Sequence, residues 1–206
     1  VSNFLIRVQL PDRPGALGAV ASRIGSVGGD VVSIEILQRD SGVVVDELGV
    51  GLAGENLIDL LREEVLEVDG ASIESLREVK GPIPDRNLEL LDLAAELFSR
   101  RSPPELLELM MARVHRTLAA QFCAIVEVDG SGIVISEGEP PDDDWLELAA
   151  VSPSGLVERL ELAFAPMAHA GKTLVVRRAV PVIRDRERRW ISSMAELADY
   201  GWQDLS

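Results

Sequence analysis

Apolar and polar residues alternate strictly over residues 4–10. Phe4, Ile6, Val8 and Leu10 face one way, and Leu5, Arg7 and Gln9 the other. A period of two with one mostly polar side predicts a half-buried strand. Pro11 and Pro14 stop it, since neither can donate to a ladder. From Leu17 the period changes: Leu17, Val20, Ala21 and Ile24 recur at helical spacing, and Gly28-Gly29 predicts a left-handed stop. Val32, Ile34 and Ile36 then alternate with Ser33 and Glu35. Asp40-Ser41-Gly42 reads as a hairpin turn into a third strand over 43–50. A helix near 56–66 carries Leu57, Leu60, Leu61 and Val65 on one side, and Asp69-Gly70 turns the chain into a last strand over 71–79, interrupted by Ser75. The order β-α-β-β-α-β predicts two helices on one side of a four-stranded antiparallel sheet, a ferredoxin-like sandwich.

Gly81-Pro82-Ile83-Pro84-Asp85 is polar and stiffened by two prolines, so it reads as a linker. The expected organisation is a first domain over 1–80, a linker over 81–87 and a second α+β domain over 88–206. In the second domain, helices are expected at 88–100 and 104–118, the latter with Leu107, Met110, Met111, Val114 and Leu118 on one face and Pro104 in its first turn. Residues 122–128 and 133–136 flank Asp129-Gly130-Ser131-Gly132 as a hairpin. Residues 137–144 read as an acidic loop, and 156–164 as a helix. A strand at 173–178 and a helix at 186–200, striped by Trp190, Ile191, Met194, Leu197 and Ala198, close the chain.

Composition narrows the functional classes. The 206 residues are 47% hydrophobic, ordinary for a globular protein. No apolar run reaches the roughly 20 residues that span a bilayer, and residues 1–10 lack the basic segment of a signal peptide. The single cysteine, Cys123, excludes an intrachain disulfide and makes a cytoplasmic setting the expectation. A net charge of −15 repels polyanions, so neither nucleic acid nor membrane is expected as a partner. Arg177, Arg178, Arg184, Arg186, Arg188 and Arg189 form the local exception, either a solvated helix-flanking face or an anion site.

The stretch Leu10–Gly18 carries the candidate chemistry. Gly15 has no Cβ, so a ligand can approach its backbone closely. Gly15, Ala16 and Leu17 present early helical N–H groups and the positive end of the helix dipole, a cradle for a carboxylate. Asp12 can accept hydrogen bonds from an ammonium group, and Arg13 can pair with a ligand carboxylate or with a surface acid. The plainer alternative is that Asp12 caps the helix and Gly15 relieves a tight turn.

Asp12-Arg13-Pro14-Gly15-Ala16-Leu17, the helix ending Val27-Gly28-Gly29-Asp30 and the strand Val31-Val32-Ser33-Ile34 together resemble an ACT domain, the amino-acid-sensing module of many metabolic enzymes and regulators. The resemblance covers residues 4–79. It implies a regulatory domain that pairs side by side as a homodimer, with an amino acid at the interface between two copies and a regulated protein partner as a further possibility. Members that bind serine-like ligands commonly carry Asn before the Arg-Pro-Gly and after the first helix. Those positions correspond here to Asp12 and Asp30, both carboxylates, suited to an ammonium group if the fold brings them together. By element order alone, residues 88–200 resemble a shortened GAF-like domain.

Other constellations carry little. His115 lies between Arg113 and Arg116 on a helix, and His169 falls in a loop. Two histidines and one cysteine without ligand spacing argue against a metal site. Cys123 begins an apolar strand, as a buried small hydrophobe does. Asp142-Asp143-Asp144 lacks the spacing of a calcium loop. Asp46 and Glu47 lie mid-strand, one on each face, with no partner legible. The expected function is therefore non-catalytic ligand sensing without a cofactor; the alternative is a protein-interaction scaffold that has lost small-molecule binding.

Overall fold

The computed structural model describes residues 2–129, 131–141, 145–151 and 161–205, and the chain divides into two compact units between Ile83 and Pro84. In the first, β1 (Ser2–Pro11), α1 (Ala16–Ser26), β2 (Asp30–Asp40), β3 (Val43–Leu52), α2 (Ile58–Leu66) and β4 (Ser72–Val79) follow the expected order. The antiparallel sheet runs β2-β3-β1-β4, the ferredoxin-like arrangement. Phe4, Ile6, Val8 and Leu10 of β1 and Leu48, Val50 and Leu52 of β3 pack against Val20 and Ile24 of α1 and Leu61 and Val65 of α2. Each such side chain contributes about 1.5–3 kcal/mol when fully buried.

Local chemistry fixes the ends of these elements. Gly28, at φ 74°, closes α1 with its N–H on the Gly25 carbonyl, while the Gly29 N–H reaches back to Ile24. This paired pattern satisfies carbonyls that the helix end would otherwise strand. Ser41 and Gly42 both have positive φ, as the tight two-residue turn between β2 and β3 requires.

The sheet's other side is less polar than the alternation in β1 predicts. Leu5, Arg7, Leu37, Val45 and Glu47 are all buried there. The Arg7 guanidinium donates to Glu47 at 2.9 Å, the two side chains being 1% and 6% exposed. Cross-strand register puts these residues opposite each other, so the charge expected to face water is neutralised within the sheet instead.

In the second unit, α3 (Arg86–Leu97), α4 (Pro103–Leu118), β5 (Phe122–Glu127), β6 (Ile133–Gly138), α5 (Trp145–Val151), β7 (Leu162–Met167), β8 (Lys172–Arg177) and α6 (Asp185–Leu205) surround an antiparallel sheet of order β6-β5-β8-β7. This is the second α+β unit expected, and its GAF-like character stays a resemblance of element order. α3 starts earlier than expected because Asp85 caps it, its carboxylate accepting from the Asn87 and Leu88 N–H groups. Cys123, Ile125, Leu174 and Val176 face a layer containing Leu93, Leu107, Met110 and Met194. Phe122, Val126, Phe164 and Val175 form a second core with Trp145 and Ala149 of α5.

The helix expected at 156–164 is corrected in part. Residues 156–160 lie outside the described residues, and Leu162, Ala163 and Phe164 belong to β7. Leu162 through Ala165 are all buried, so the segment has no alternation to betray a strand. The basic cluster is also not uniformly solvated. Arg178 is 4% exposed and donates to the carbonyls of Leu118, Pro181 and Val182 and to the fully buried Glu187 carboxylate. Glu187 also accepts from the Arg184 N–H. Arg178 therefore anchors the segment entering α6.

Candidate functional site

Gly15 is the N-cap of α1 in the left-handed conformation, φ 87°, and no side chain caps the helix. The Ala16 N–H bonds to the Arg13 carbonyl and the Ala19 N–H to that of Gly15. The N–H groups of Leu17 and Gly18 have no backbone acceptor among the described residues. A Cβ on Gly15 would meet nothing within 4 Å, so the space beside it is open. Of the N–H groups expected to form the cradle, that of Ala16 is thus taken by the Arg13 carbonyl; the Ala16 side chain is buried and Leu17 packs at the edge of the core.

The side chains expected around it are placed differently. Asp12 does not cap α1. Its two carboxylate oxygens accept from Nε and Nη2 of Arg39, each at 2.7 Å. That hydrogen bonding, followed by the Arg39 charge, holds the Asp12 carboxyl below its ordinary value. Arg13 takes the surface alternative, pairing with Asp69 at 3.1 Å with both side chains largely exposed.

Asp30 lies at the opposite end of the sheet. It pairs with Gly51 of β3, whereas Pro11 pairs with Val43. Eight residues of β3 separate the two positions, about 27 Å of strand. One chain therefore does not bring Asp12 and Asp30 together. The tight hairpin fixes this register: it sets the end of β2, at Arg39 and Asp40, beside Pro11 and sends the beginning away.

Two further features surround this region, of which the sequence reading missed the first and named the second without its burial on this face. One is Arg39, 27 positions from Asp12, which had no signal beyond an exposed place on a strand. The other is Asp46, 1% exposed and facing the helix layer from its register between Val8 and Ile36. Burial pushes its carboxyl above the ordinary value, opposed by the charge of Arg39, and its Oδ1 accepts no hydrogen bond. β2 itself is an edge strand, and Val32, Ile34 and Ile36 stand about half exposed along it.

The second unit has no comparable assembly of reactive groups among its described residues. Asp199 accepts from the backbone N–H groups of His169 and Ala170, and His169 Nδ1 lies 2.8 Å from it, so the pair clasps the turn between β7 and β8. His115 Nδ1 is 3.7 Å from Glu137. Cys123 is fully buried, its thiol pushed up to about 12 by desolvation. A cavity of about 330 Å³ is lined by Pro104, Leu107, Glu108, Val134, Ile135 and Trp202. Asp142–Asp144 lie outside the described residues. Among the described residues, no group of three or more His, Cys, Asp and Glu is placed to hold a metal, and no helix is long and apolar enough to cross a membrane.

No family model matches the chain, and no curated protein matches it. Solved structures similar to it include the ACT domain from GTP pyrophosphokinase of Chlorobium tepidum, 14% identical, which covers 38% of this chain and 100% of that one with a TM-score of 0.31. An ACT domain protein from Streptococcus pneumoniae is 16% identical over 38% of this chain and 90% of its own, TM-score 0.33. An unknown protein from Galdieria sulphuraria is 15% identical over 97% of this chain and 92% of its own, TM-score 0.35.

Proposed function

We propose that the chain is a non-catalytic regulatory protein whose first unit pairs with a second copy and binds a small amino acid beside the start of α1. The observation that carries this reading is the uncapped α1 N-terminus, with unpartnered N–H groups opening onto free space beside an exposed edge strand. Oriented N–H groups and the helix dipole favour a carboxylate there. An apolar edge strand favours pairing with a like strand.

The two features reinforce each other. Two-fold pairing of β2 edges is antiparallel, so the beginning of one β2 lies beside the end of the other. The partner's Asp30 would then approach Arg39 and Asp12 of this chain, completing across the interface a set that one chain leaves 27 Å apart by its register. In this reading the second unit transmits or stabilises the ligand-bound state. The closed Asp12–Arg39 pair favours the alternative, an interaction scaffold whose ligand side chains are already satisfied by one another.

Thermal shift of the full chain with each of the twenty L-amino acids at millimolar concentration tests the reading, alongside sedimentation to fix the oligomeric state. Stabilisation by at least one of them, from a dimer, is the expected outcome. A folded protein that responds to none of the twenty would overturn the ligand reading, and a monomer at every concentration would overturn the interface.

A further inference from the structure

Asp46 is a buried carboxylate that the fold does not explain. Its neighbours along the same side of β3, Leu48 and Val50, are aliphatic and fully buried, and an aliphatic residue would continue that row. A carboxylate there gives up its hydration, and its Oδ1 gains no hydrogen bond in return. Desolvation raises its carboxyl accordingly. A buried acid left without a partner points to a cation that arrives from outside the chain.

The position of Asp46 along the sheet indicates which cation. Ile24 and Leu52 both lie against Gly29, which sets the end of α1 over the end of β3. Nine residues earlier in α1 comes Gly15, about 14 Å back at helical rise, or about four strand residues. That places the first turn of α1 over Leu48, and the next helix-facing residue of β3 is Asp46. The free N–H groups of Leu17 and Gly18 and the unpartnered Oδ1 therefore flank the same end of the helix. Among the described residues, Arg39 is the cation whose charge reaches Asp46, and its hydrogen bonds go to Asp12 instead. The Arg39 side chain is 65% exposed, and an exposed pair of this kind is weakly held.

We propose that Asp46 receives the ammonium group of an α-amino acid whose carboxylate lies on the α1 N–H groups, with Arg39 swinging aside to admit it. This rests on the reading of the α1 terminus as a ligand site. It goes beyond that reading by requiring the α-ammonium group and by assigning its recognition to this chain's β3 rather than to Asp12 or Asp30.

Asp46→Asn keeps the shape of the side chain and removes its charge. The full-length wild type and this variant are titrated with the amino acid that stabilises the wild type most, with its des-amino analogue, and with n-propylammonium chloride, which carries the ammonium group without a carboxylate. The expected result is that the variant folds and binds the amino acid roughly tenfold or more weakly, while the des-amino analogue affects both proteins alike. Equal affinity of both proteins for the amino acid overturns the role of Asp46 and leaves the carboxylate cradle standing. If no amino acid binds the wild type but n-propylammonium stabilises it and not the variant, the cradle reading fails and the cation site at Asp46 stands. If neither probe acts on the wild type, both are overturned.

Discussion

Arg178→Met is expected to cost the second unit about 3–5 kcal/mol, the scale for breaking a buried ion pair by removing one partner. Arg178 and Glu187 side chains are 5% and 0% exposed, with a 2.7 Å contact. Methionine fills a similar volume but donates nothing. It takes away the buried counter-charge of the Glu187 carboxylate, which keeps the Arg184 N–H, and removes the donor to the Leu118, Pro181 and Val182 carbonyls. The chain provides a selective probe: Trp145, Trp190 and Trp202, its three tryptophans, all lie in the second unit. Urea unfolding followed by tryptophan fluorescence therefore reports that unit. With a denaturant slope of about 2 kcal/mol per molar, the midpoint should fall by about 2 M. Arg178→Met combined with Glu187→Leu removes both charges and should recover much of the loss, because the penalty lies mainly in the uncompensated carboxylate. A fall of under about 0.5 kcal/mol for the single variant, or a double variant as unstable as the single one, would refute the reasoning.

Asp46 gives the first unit a pH signature. Its raised carboxyl binds a proton more tightly folded than unfolded. Its contribution therefore favours the folded state below the ordinary value of 3.8 and is lost as pH rises through the folded value. Far-UV circular dichroism melts should show Asp46→Asn gaining on the wild type across that rise, and a gap independent of pH counts against a buried, unpartnered carboxylate. Ile34→Lys puts a charge in the middle of the β2 edge and should shift the protein to monomer in sedimentation while the melts change by less than about 1 kcal/mol. Cys123, buried with its thiol pushed up to about 12, should resist a disulfide reagent at pH 8 and react stoichiometrically in urea. Asp85→Ala removes the cap of α3 and should cost about 1 kcal/mol by the same fluorescence assay.

The order of elements in the first unit was legible because each depends on neighbours in sequence. The period of two in β1, the helical spacing of Leu17, Val20 and Ile24, the glycines after α1 and the Ser41-Gly42 turn act within a few residues. The glycine at the start of α1 was legible for the same reason, but not which N–H groups stay free: Ala16 bonds to the Arg13 carbonyl, and those of Leu17 and Gly18 have no backbone acceptor among the described residues. The strand at Leu162–Met167 was not legible, since burial on both sides removes the alternation that separates strand from helix.

What surrounds the cradle was decided only by tertiary structure. No local rule relates Asp12 to Arg39. The hairpin register does, and the same register carries Asp30 to the far end of the sheet. Burial of Arg7 with Glu47 and of Arg178 with Glu187 likewise depends on partners brought together by folding, whereas the sequence gives each residue only a charge. Asp46 shows the difference most plainly. As a letter in a strand it is an acid on one face or the other. Its energetic cost, and with it the reason to seek a ligand cation, arises because the folded sheet, with Val8 and Ile36 on either side, takes the water away.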